Sequence, residues 1–257
     1  INNIIVGGSI ILNKDDKYFN FLKDKALKRK IKVISFSVKN KADIQLIKII
    51  KKKSNYLLII EINKINKKFI IKGNLKSHVS NILASIAVIS YYIDVQNLKE
   101  DLFYNFVPPR GRGDFSKIRI KNKFINIIDE SYNSNPLSLE FAIDNFDKIN
   151  INSKNKNILL GDMLELGKFS KKLHKEAAKI VNKSKINKVF VYGKDIKETF
   201  NKIKTQKKGK ILKSKKEIIS LIKNDLRSND YLMVKGSNAT GLNKIISQFK
   251  LERLNAL

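Results

Sequence analysis

Hydrophobic and polar positions follow two alternating patterns along the second half of the chain. Short apolar runs, which are typical of buried strands, are separated by segments whose apolar residues recur every three or four positions, as on one face of a helix. The runs predict strands at 124–128, 157–160, 188–192, 210–212 and 230–234, and the segments predict helices at 137–147, 170–182, 195–202, 215–223 and 241–251. Strands that alternate with helices favour a parallel sheet with helices on both faces.

The first half shows the same two patterns less regularly. It predicts strands at 9–12 and 32–36, a hairpin formed by 56–62 and 68–71, and helices at 18–29, 79–92 and 97–105. The stretch Pro108-Pro109-Arg110-Gly111-Arg112-Gly113 then holds two of the three prolines, which is typical of a linker. We therefore predict two α/β domains, at residues 1–112 and 113–257.

Polar side chains follow three of the predicted strands directly. Asp129-Glu130-Ser131-Tyr132-Asn133-Ser134-Asn135-Pro136 comes after the first, Asp162 and Glu165 after the second, and Lys235 and Ser237 after the last. The carboxyl ends of parallel strands meet at one edge of a sheet, where ligands bind and helix N-termini favour anions. Turn and helix-cap roles explain many of the same residues. Both interpretations stay open on the pattern alone.

Composition narrows the class of protein. The 257 residues include no cysteine, which excludes disulfides and thiolate metal sites. No apolar run approaches the roughly 20 residues that span a bilayer, and the start of the chain lacks a secretory signal pattern. We therefore expect a cytoplasmic protein without a membrane span. Because the chain begins with Ile1, we also expect it to be part of a longer protein.

The formal charge of +30 raises the possibility of a nucleic-acid partner. However, only six of the 53 basic residues are arginine, the side chain best suited to bidentate phosphate contacts, and the lysines are dispersed along the whole chain. We expect no specific nucleic-acid binding, only weak association at low salt. A basic nucleic-acid-binding module and a stand-alone interaction module remain as alternative functions.

Several of these segments resemble those of one family, the Mur ligases. Residues 129–136 are similar to the signature Asp-Asp-Ser-Tyr-Asn-Ala-Asn-Pro of the members that add D-alanyl-D-alanine, with Glu130 in place of the second aspartate. Residues 161–167, with Ser170 and His174 after them, resemble a second signature, and residues 234–237 resemble a third. In the first half, Asn13-Lys14-Asp15-Asp16 and the helix around Asn81 resemble the central ATPase domain, and Gly111-Arg112 resembles the interdomain linker.

The resemblance implies a fold and an activity. The fold is a C-terminal Rossmann-like parallel-sheet domain, preceded by the second half of an α/β ATPase-type central domain. The activity is ATP-dependent amide formation through an acyl phosphate, which joins D-alanyl-D-alanine to UDP-N-acetylmuramoyl-tripeptide in peptidoglycan precursor synthesis. ATP and Mg²⁺ are the implied cofactors, and a monomer is expected. The family's phosphate loop and metal ligands precede the part present here, so we expect no turnover from this chain alone.

The resemblance also implies roles for individual residues. Arg112 is the candidate catalytic cation over the ATP phosphates, and the other candidates for ATP binding are Asn81, Asp129, Glu130, Asn133 and Asn135. The candidates for substrate binding are Asp162, Glu165, Lys235 and Ser237. No metal ligand is expected within the chain. His174 is predicted on a helix surface, and the turn at residues 13–16 is predicted to be structural. Another Mur ligase or a folylpolyglutamate-type ligase remains the alternative enzyme.

Overall fold

The computed structural model describes residues 1–107 and 109–252. The chain divides into two compact units, Ile1–Pro108 and Pro109–Leu257, a boundary four residues before the one that the sequence predicts. Each unit contains a sheet of its own. Within the described residues, no helix is both long and apolar enough to cross a membrane.

The first unit is a mixed sheet of five strands with two helices. Its strands lie in the order β1-β2-β3-β4-β5, with β1, β2 and β3 parallel and the last three strands forming an antiparallel meander. The elements are β1 (Ser9–Asn13), α1 (Phe19–Lys28), β2 (Lys32–Ser37), β3 (Ile44–Lys52), β4 (Asn55–Ile62), β5 (Ile65–Lys72) and α2 (Val79–Tyr92). Helix α2 packs its apolar side against the sheet and completes the core of this unit.

Two predictions for the first unit were wrong. Strand β3 was missed, because its lysines at positions 48, 51 and 52 are exposed and interrupt the apolar run. The helix predicted at 97–105 is a short 3₁₀ turn, Val95–Asn97, followed by turns. Leu98 and Phe103 are buried there without helical geometry, and the ring of Phe103 packs edge-on against Phe69, 5.9 Å between centroids.

The turn after β1 is structural, as predicted. The carboxylate of Asp15 accepts hydrogen bonds from the Ser37 hydroxyl at 2.5 Å, the Val38 N–H at 2.7 Å and the Asn40 amide at 2.9 Å. Burial favours the neutral form of Asp15, but these hydrogen bonds outweigh it and lower the pKa of the carboxyl. The turn therefore fixes the end of β1 against the end of β2.

The second unit is a six-stranded sheet in the order β10-β9-β8-β11-β7-β6. All neighbouring pairs are parallel except β6 and β7, which form an antiparallel hairpin. Its strands are β6 (Asp114–Ile120), β7 (Lys123–Glu130), β8 (Lys156–Gly161), β9 (Lys188–Tyr192), β10 (Lys208–Leu212) and β11 (Tyr231–Lys235). Its helices are α3 (Pro136–Lys148), α4 (Ser170–Lys183), α5 (Lys197–Lys202), α6 (Lys215–Ser220) and α7 (Leu242–Glu252).

Helices cover both faces of this sheet, as the alternating pattern predicts. One apolar cluster joins the strands to α3, α4 and α5, and a second cluster joins them to α6 and α7. The edge strand β6 was not predicted. Only its residues Ile118 and Ile120 are buried, and charged or polar residues separate them from the rest of the strand.

The sheet order brings three strand ends together. Strand β11 lies between β7 and β8 and is parallel to both, with Lys235 opposite Glu130 on one side and Leu160 on the other. Asp129, Asp162 and Lys235 therefore lie at the same edge of the sheet, which confirms the arrangement expected from the sequence.

Candidate functional site

The loop from β7 to α3, residues 131–135, is fixed by its own side chains. Asp129 is 2% exposed, and its carboxylate accepts hydrogen bonds from the N–H and the hydroxyl of Ser131. Asn135 caps helix α3 by accepting the N–H of Ser138 at 2.8 Å, while the Ser138 hydroxyl accepts the N–H of Asn135 at 3.0 Å. This reciprocal capping box and the proline at the helix start explain why α3 begins here.

Arg112 lies beside this loop and is exposed. Its guanidinium carbon is 4.3 Å from the centre of the Tyr132 ring, in a cation–π contact. The backbone of the linker also joins the loop, because the Tyr132 N–H donates to the Gly111 carbonyl at 3.1 Å. Tyr132 was not singled out from the sequence, although it lies inside the signature segment. It holds the arginine at the edge of the sheet with the guanidinium N–H groups available to a ligand.

Glu130 and Lys235 lie opposite each other on β7 and β11, below the loop, and their charges interact. Burial raises the pKa of Glu130, Lys235 opposes that rise, and Asp129 and Asp114 add to it. Burial likewise lowers the pKa of Lys235, and Glu130 opposes that change. Lys235 is 2% exposed, and its ammonium donates to the carbonyl of Asn133 at 2.9 Å. The lysine thus binds the β7–α3 loop from within the protein.

The loop from β8 to α4, residues 162–169, contains both predicted acidic substrate ligands. The Asp162 carboxylate accepts the N–H groups of Lys194 at 2.9 Å and Ile196 at 2.8 Å, and so fixes the loop that precedes α5. Glu165 is exposed at the tip of the β8–α4 loop with a φ of 63°. Of the two carboxylates, Glu165 is therefore the one presented to solvent.

Ser237 connects all three loops of this edge. Its hydroxyl accepts the N–H of Leu164 at 2.9 Å and donates to the carbonyl of Ser134 at 3.4 Å. Its own N–H donates to the Asp162 carbonyl at 3.0 Å. Ser237 is 5% exposed, so these contacts are internal. Lys235 and Ser237 hold the neighbouring loops at the edge of the sheet. The sequence, in contrast, suggested that they contact substrate directly.

His174 is fully buried, and its prediction as a helix-surface residue was wrong. Its Nε2 atom accepts the N–H of Met163 at 3.0 Å, and its Nδ1 atom lies 2.8 Å from the carbonyl oxygen of Ser170. A signal for burial was present in the sequence. His174, Ala177, Ala178 and Val181 occupy the i, i+3, i+4 and i+7 positions of the buried face of α4.

The ATP-binding candidate Asn81 belongs to the first unit. It is the third residue of α2 and is exposed, on the side opposite the buried Ile82 and Leu83. The remaining candidates are on the second unit. There the structure brings together an exposed group, Arg112, Asn133, Asn135 and Glu165, and a more buried group of supporting residues, Asp129, Glu130, Asp162, Lys235 and Ser237.

The resemblance implies a magnesium ion, which carboxylate and histidine side chains would have to hold. Among residues 1–107 and 109–252, no group of three or more histidine, aspartate or glutamate side chains is arranged to hold a metal ion. The carboxylates of Asp129 and Asp162 are already bonded to protein N–H groups. The part of the chain that the structure describes therefore does not form a site for Mg²⁺.

Comparison with known proteins identifies both units. Residues 1–89 match the family described as the Mur ligase middle domain, and residues 115–238 match that described as the Mur ligase, glutamate ligase domain. The chain belongs to the Mur ligase family. A UDP-N-acetylmuramoyl-tripeptide–D-alanyl-D-alanine ligase of Buchnera aphidicola subsp. Baizongia pistaciae is 32% identical over 246 residues, covering 94% of this chain and 50% of the relative. The chain thus spans about half the length of this curated relative.

Solved Mur ligase structures share the fold. MurF from Acinetobacter baumannii superposes with a TM-score of 0.73 and 18% identity, covering 96% of this chain and 52% of the other. MurF from Thermotoga maritima, solved in complex with ADP, gives a TM-score of 0.68 and 19% identity, covering 97% and 55%. At these identities the likeness establishes the fold of this Mur ligase chain.

Proposed function

We propose that this Mur ligase chain is part of an ATP-dependent ligase that joins D-alanyl-D-alanine to UDP-N-acetylmuramoyl-tripeptide. The observation that carries the proposal is the 32% identity to the Buchnera ligase of that name across 94% of the chain. The meeting of three signature loops at one sheet edge supports it, because that edge is where α/β proteins bind ligands.

The proposed reaction has two steps. In the first, a carboxylate oxygen of the tripeptide attacks the γ-phosphorus of ATP, and the bond from this phosphorus to the β,γ-bridging oxygen breaks. The products are ADP and the acyl phosphate of the tripeptide. In the second, the dipeptide ammonium first gives a proton to water, and the resulting amine attacks the acyl carbon. The carbon–oxygen bond to phosphate breaks, and the new amide nitrogen releases its extra proton to water. Catalysis of this kind depends on positioning and on stabilising negative charge.

The exposed residues of the second unit have separate roles in this proposal. Arg112 stabilises charge on the transferred phosphoryl group with its planar N–H donors, and Tyr132 keeps it at the edge of the sheet. Glu165 pairs with the ammonium of the incoming dipeptide before the amine loses its proton. Asn133 and Asn135 contact the nucleotide in this proposal. For the first unit, taken by itself, we propose that Asn81 contacts adenine. Asp129 and Glu130 support the β7–α3 loop, which we assign to the nucleotide. Asp162, Lys235 and Ser237 fix the loops at the sheet edge, where we place the dipeptide acceptor.

Mg²⁺, when bound, would supply charge neutralisation for the phosphates. We assign no residue of this chain to it. We also propose that residues 1–257 alone neither hydrolyse ATP nor form the amide. A phosphate-binding loop needs backbone N–H groups around the phosphates and a lysine, and we can assign neither within these residues.

Binding of the acceptor to the second unit tests the proposal. In an NMR titration of the ¹⁵N-labelled chain with D-alanyl-D-alanine, we expect shifts centred on the amides of residues 162–167. Glu165→Gln should weaken them, while Glu176→Gln, an exposed glutamate on α4, should not. D-glutamate and L-alanine are the comparison ligands, since the matched domain family is described as a glutamate ligase domain and a structural relative from Thermotoga maritima is named UDP-N-acetylmuramate-alanine ligase. Shifts of the same amides by D-glutamate at equal concentration would favour a different Mur ligase.

A further inference from the structure

Both ring nitrogens of His174 contact backbone, and the partners determine which nitrogen carries the proton. The Ser170 carbonyl near Nδ1 can only accept a hydrogen bond, so Nδ1 bears the hydrogen. The Met163 N–H near Nε2 can only donate, so Nε2 must have a free lone pair. The geometry therefore requires the neutral imidazole, protonated at Nδ1.

We propose that His174 is a positioning residue that holds the β8–α4 loop through Nε2, and that protonation of this atom releases the loop. In the charged form, the N–H at Nε2 would face the N–H of Met163, and two donors cannot bond to each other. Both groups are buried, so neither can turn to water without movement of the loop. The hydrogen bond of Met163 and the charge of the histidine are therefore mutually exclusive.

The surroundings of His174 offer little compensation for a positive charge. Asp195 reaches it only through the Ser170 hydroxyl, which donates to Asp195 and lies 3.3 Å from Nδ1. On α5, Thr199 donates its hydroxyl to the His174 carbonyl, and Glu198 pairs with Lys175 at 3.7 Å. Helix α3 contributes its apolar face to the cluster shared with α4, and its charged residues Glu140 and Asp144 are exposed. In the loop itself, the Asp162 carboxylate is held by two N–H groups.

The contact matters because of what lies beside Met163. Asp162 is the preceding residue, and Leu164, the next, is bonded to Ser237. Glu165 follows with its left-handed backbone. The histidine thus anchors the segment that presents Glu165. That this segment receives the acceptor rests on the proposed function, whereas the hydrogen bond from Met163 to His174 does not.

Amide hydrogen exchange of the chain tests the proposal without any ligand or activity. The protection factor of the Met163 amide should fall at least about tenfold between about pH 8 and about pH 5, while the amides of the central strand β8 keep theirs. His174→Gln should keep Met163 protected at both pH values, because the amide oxygen of glutamine accepts a hydrogen bond and does not titrate. His174→Ala should leave it unprotected at both. Ser237→Ala is the matched control, since it should expose Leu164 equally at both pH values and leave the pH dependence of Met163 unchanged.

Two results would overturn the proposal. One is a Met163 protection factor in the unmodified chain that is the same at both pH values. The other is a folded His174→Gln variant in which the Met163 amide exchanges at high pH as fast as it does in the His174→Ala variant. If His174→Ala does not fold, the unmodified chain and the glutamine variant still decide the question. Because none of these measurements needs substrate, a failure here is distinct from a failure of the proposed ligase function.

Discussion

The ammonium of Lys235 donates a hydrogen bond to the carbonyl oxygen of Asn133, 2.9 Å away, although 102 residues separate the two in sequence. The contact joins the end of β11 to the loop that follows β7. It makes a buried lysine part of the structure that supports the exposed candidates Arg112, Asn133 and Asn135. The candidate site therefore consists of the exposed group and the supporting residues defined above, and substitutions in the two groups should have different effects.

Replacing Lys235 by methionine tests the role of the supporting residues. The change removes the donor to Asn133 and leaves Glu130 without its nearby cation, so we expect the second unit to lose about 2 kcal/mol of unfolding free energy. Lys188→Met is the matched control, because that lysine also donates to backbone carbonyls but is only partly buried, and we expect about 0.5 kcal/mol or less. Urea unfolding followed by NMR signals of the second unit measures both. Equal losses in the two variants would contradict the supporting role.

The pH dependence of stability tests the burial of Glu130. Because burial raises the pKa of Glu130 above its ordinary value of 4.5, the folded chain holds this proton more tightly than the unfolded chain does. The contribution of Glu130 to stability is therefore fully present below pH 4.5 and is lost as the pH rises through the raised pKa. Glu130→Gln cannot titrate and should lack this loss. Parallel stability profiles for the two proteins from acid to neutral pH would rule out the burial effect.

Two glycines with positive φ separate backbone strain from steric clash. An alanine Cβ at position 193, where φ is +146°, would overlap the Asp162 carboxylate, whereas at Gly167, with φ +53°, nothing lies within 4 Å. We expect Gly193→Ala to cost more than about 2 kcal/mol and Gly167→Ala about 1 kcal/mol. Thermal or urea unfolding compares them. If Gly193→Ala were no more harmful than Gly167→Ala, Asp162 would not hold the 193–196 segment as described.

Arg112→Ala tests the role of the exposed group in a protein that carries out ligation. If Arg112 acts on the developing phosphate charge, kcat should fall about 100-fold while KM for each substrate changes far less. Arg119→Ala is the control, since Arg119 is an exposed arginine on β6. Tyr132→Ala should reproduce part of the kcat loss, because it removes the ring under the guanidinium. A rise in KM with unchanged kcat would instead make Arg112 a residue for ground-state binding.

The strands that the sequence predicted correctly are those whose buried positions are occupied mostly by runs of apolar residues. Strands β7, β8 and β11 are buried along most of their length, so their apolar runs were visible, and polar residues marked their carboxyl ends. Strands β3 and β6 are half-exposed, and their lysines and polar residues hid them. The order that places β11 between β7 and β8 depends on long-range pairing, which no local pattern contains.

The roles of site residues were harder to predict than their location. Asp162, Lys235 and Ser237 are at the expected edge, but their polar atoms are bonded to backbone groups from distant loops. His174 is polar and was assigned to the surface, yet two backbone groups satisfy its ring and allow it to be buried. Whether a polar side chain faces a ligand or the protein depends on such partners, which become known only from the fold.

A ligation assay tests the central claim most directly. UDP-N-acetylmuramoyl-tripeptide, D-alanyl-D-alanine, ATP and Mg²⁺ are incubated with residues 1–257, and separately with a fusion that places these residues after the half of the Buchnera relative that they do not match. The intact relative serves as the positive control, and mass spectrometry detects the pentapeptide product. We predict pentapeptide and ADP from the fusion, none from residues 1–257 alone, and none when D-glutamate replaces the dipeptide. Product from residues 1–257 alone, or a folded fusion that couples D-glutamate instead of D-alanyl-D-alanine, would contradict the account.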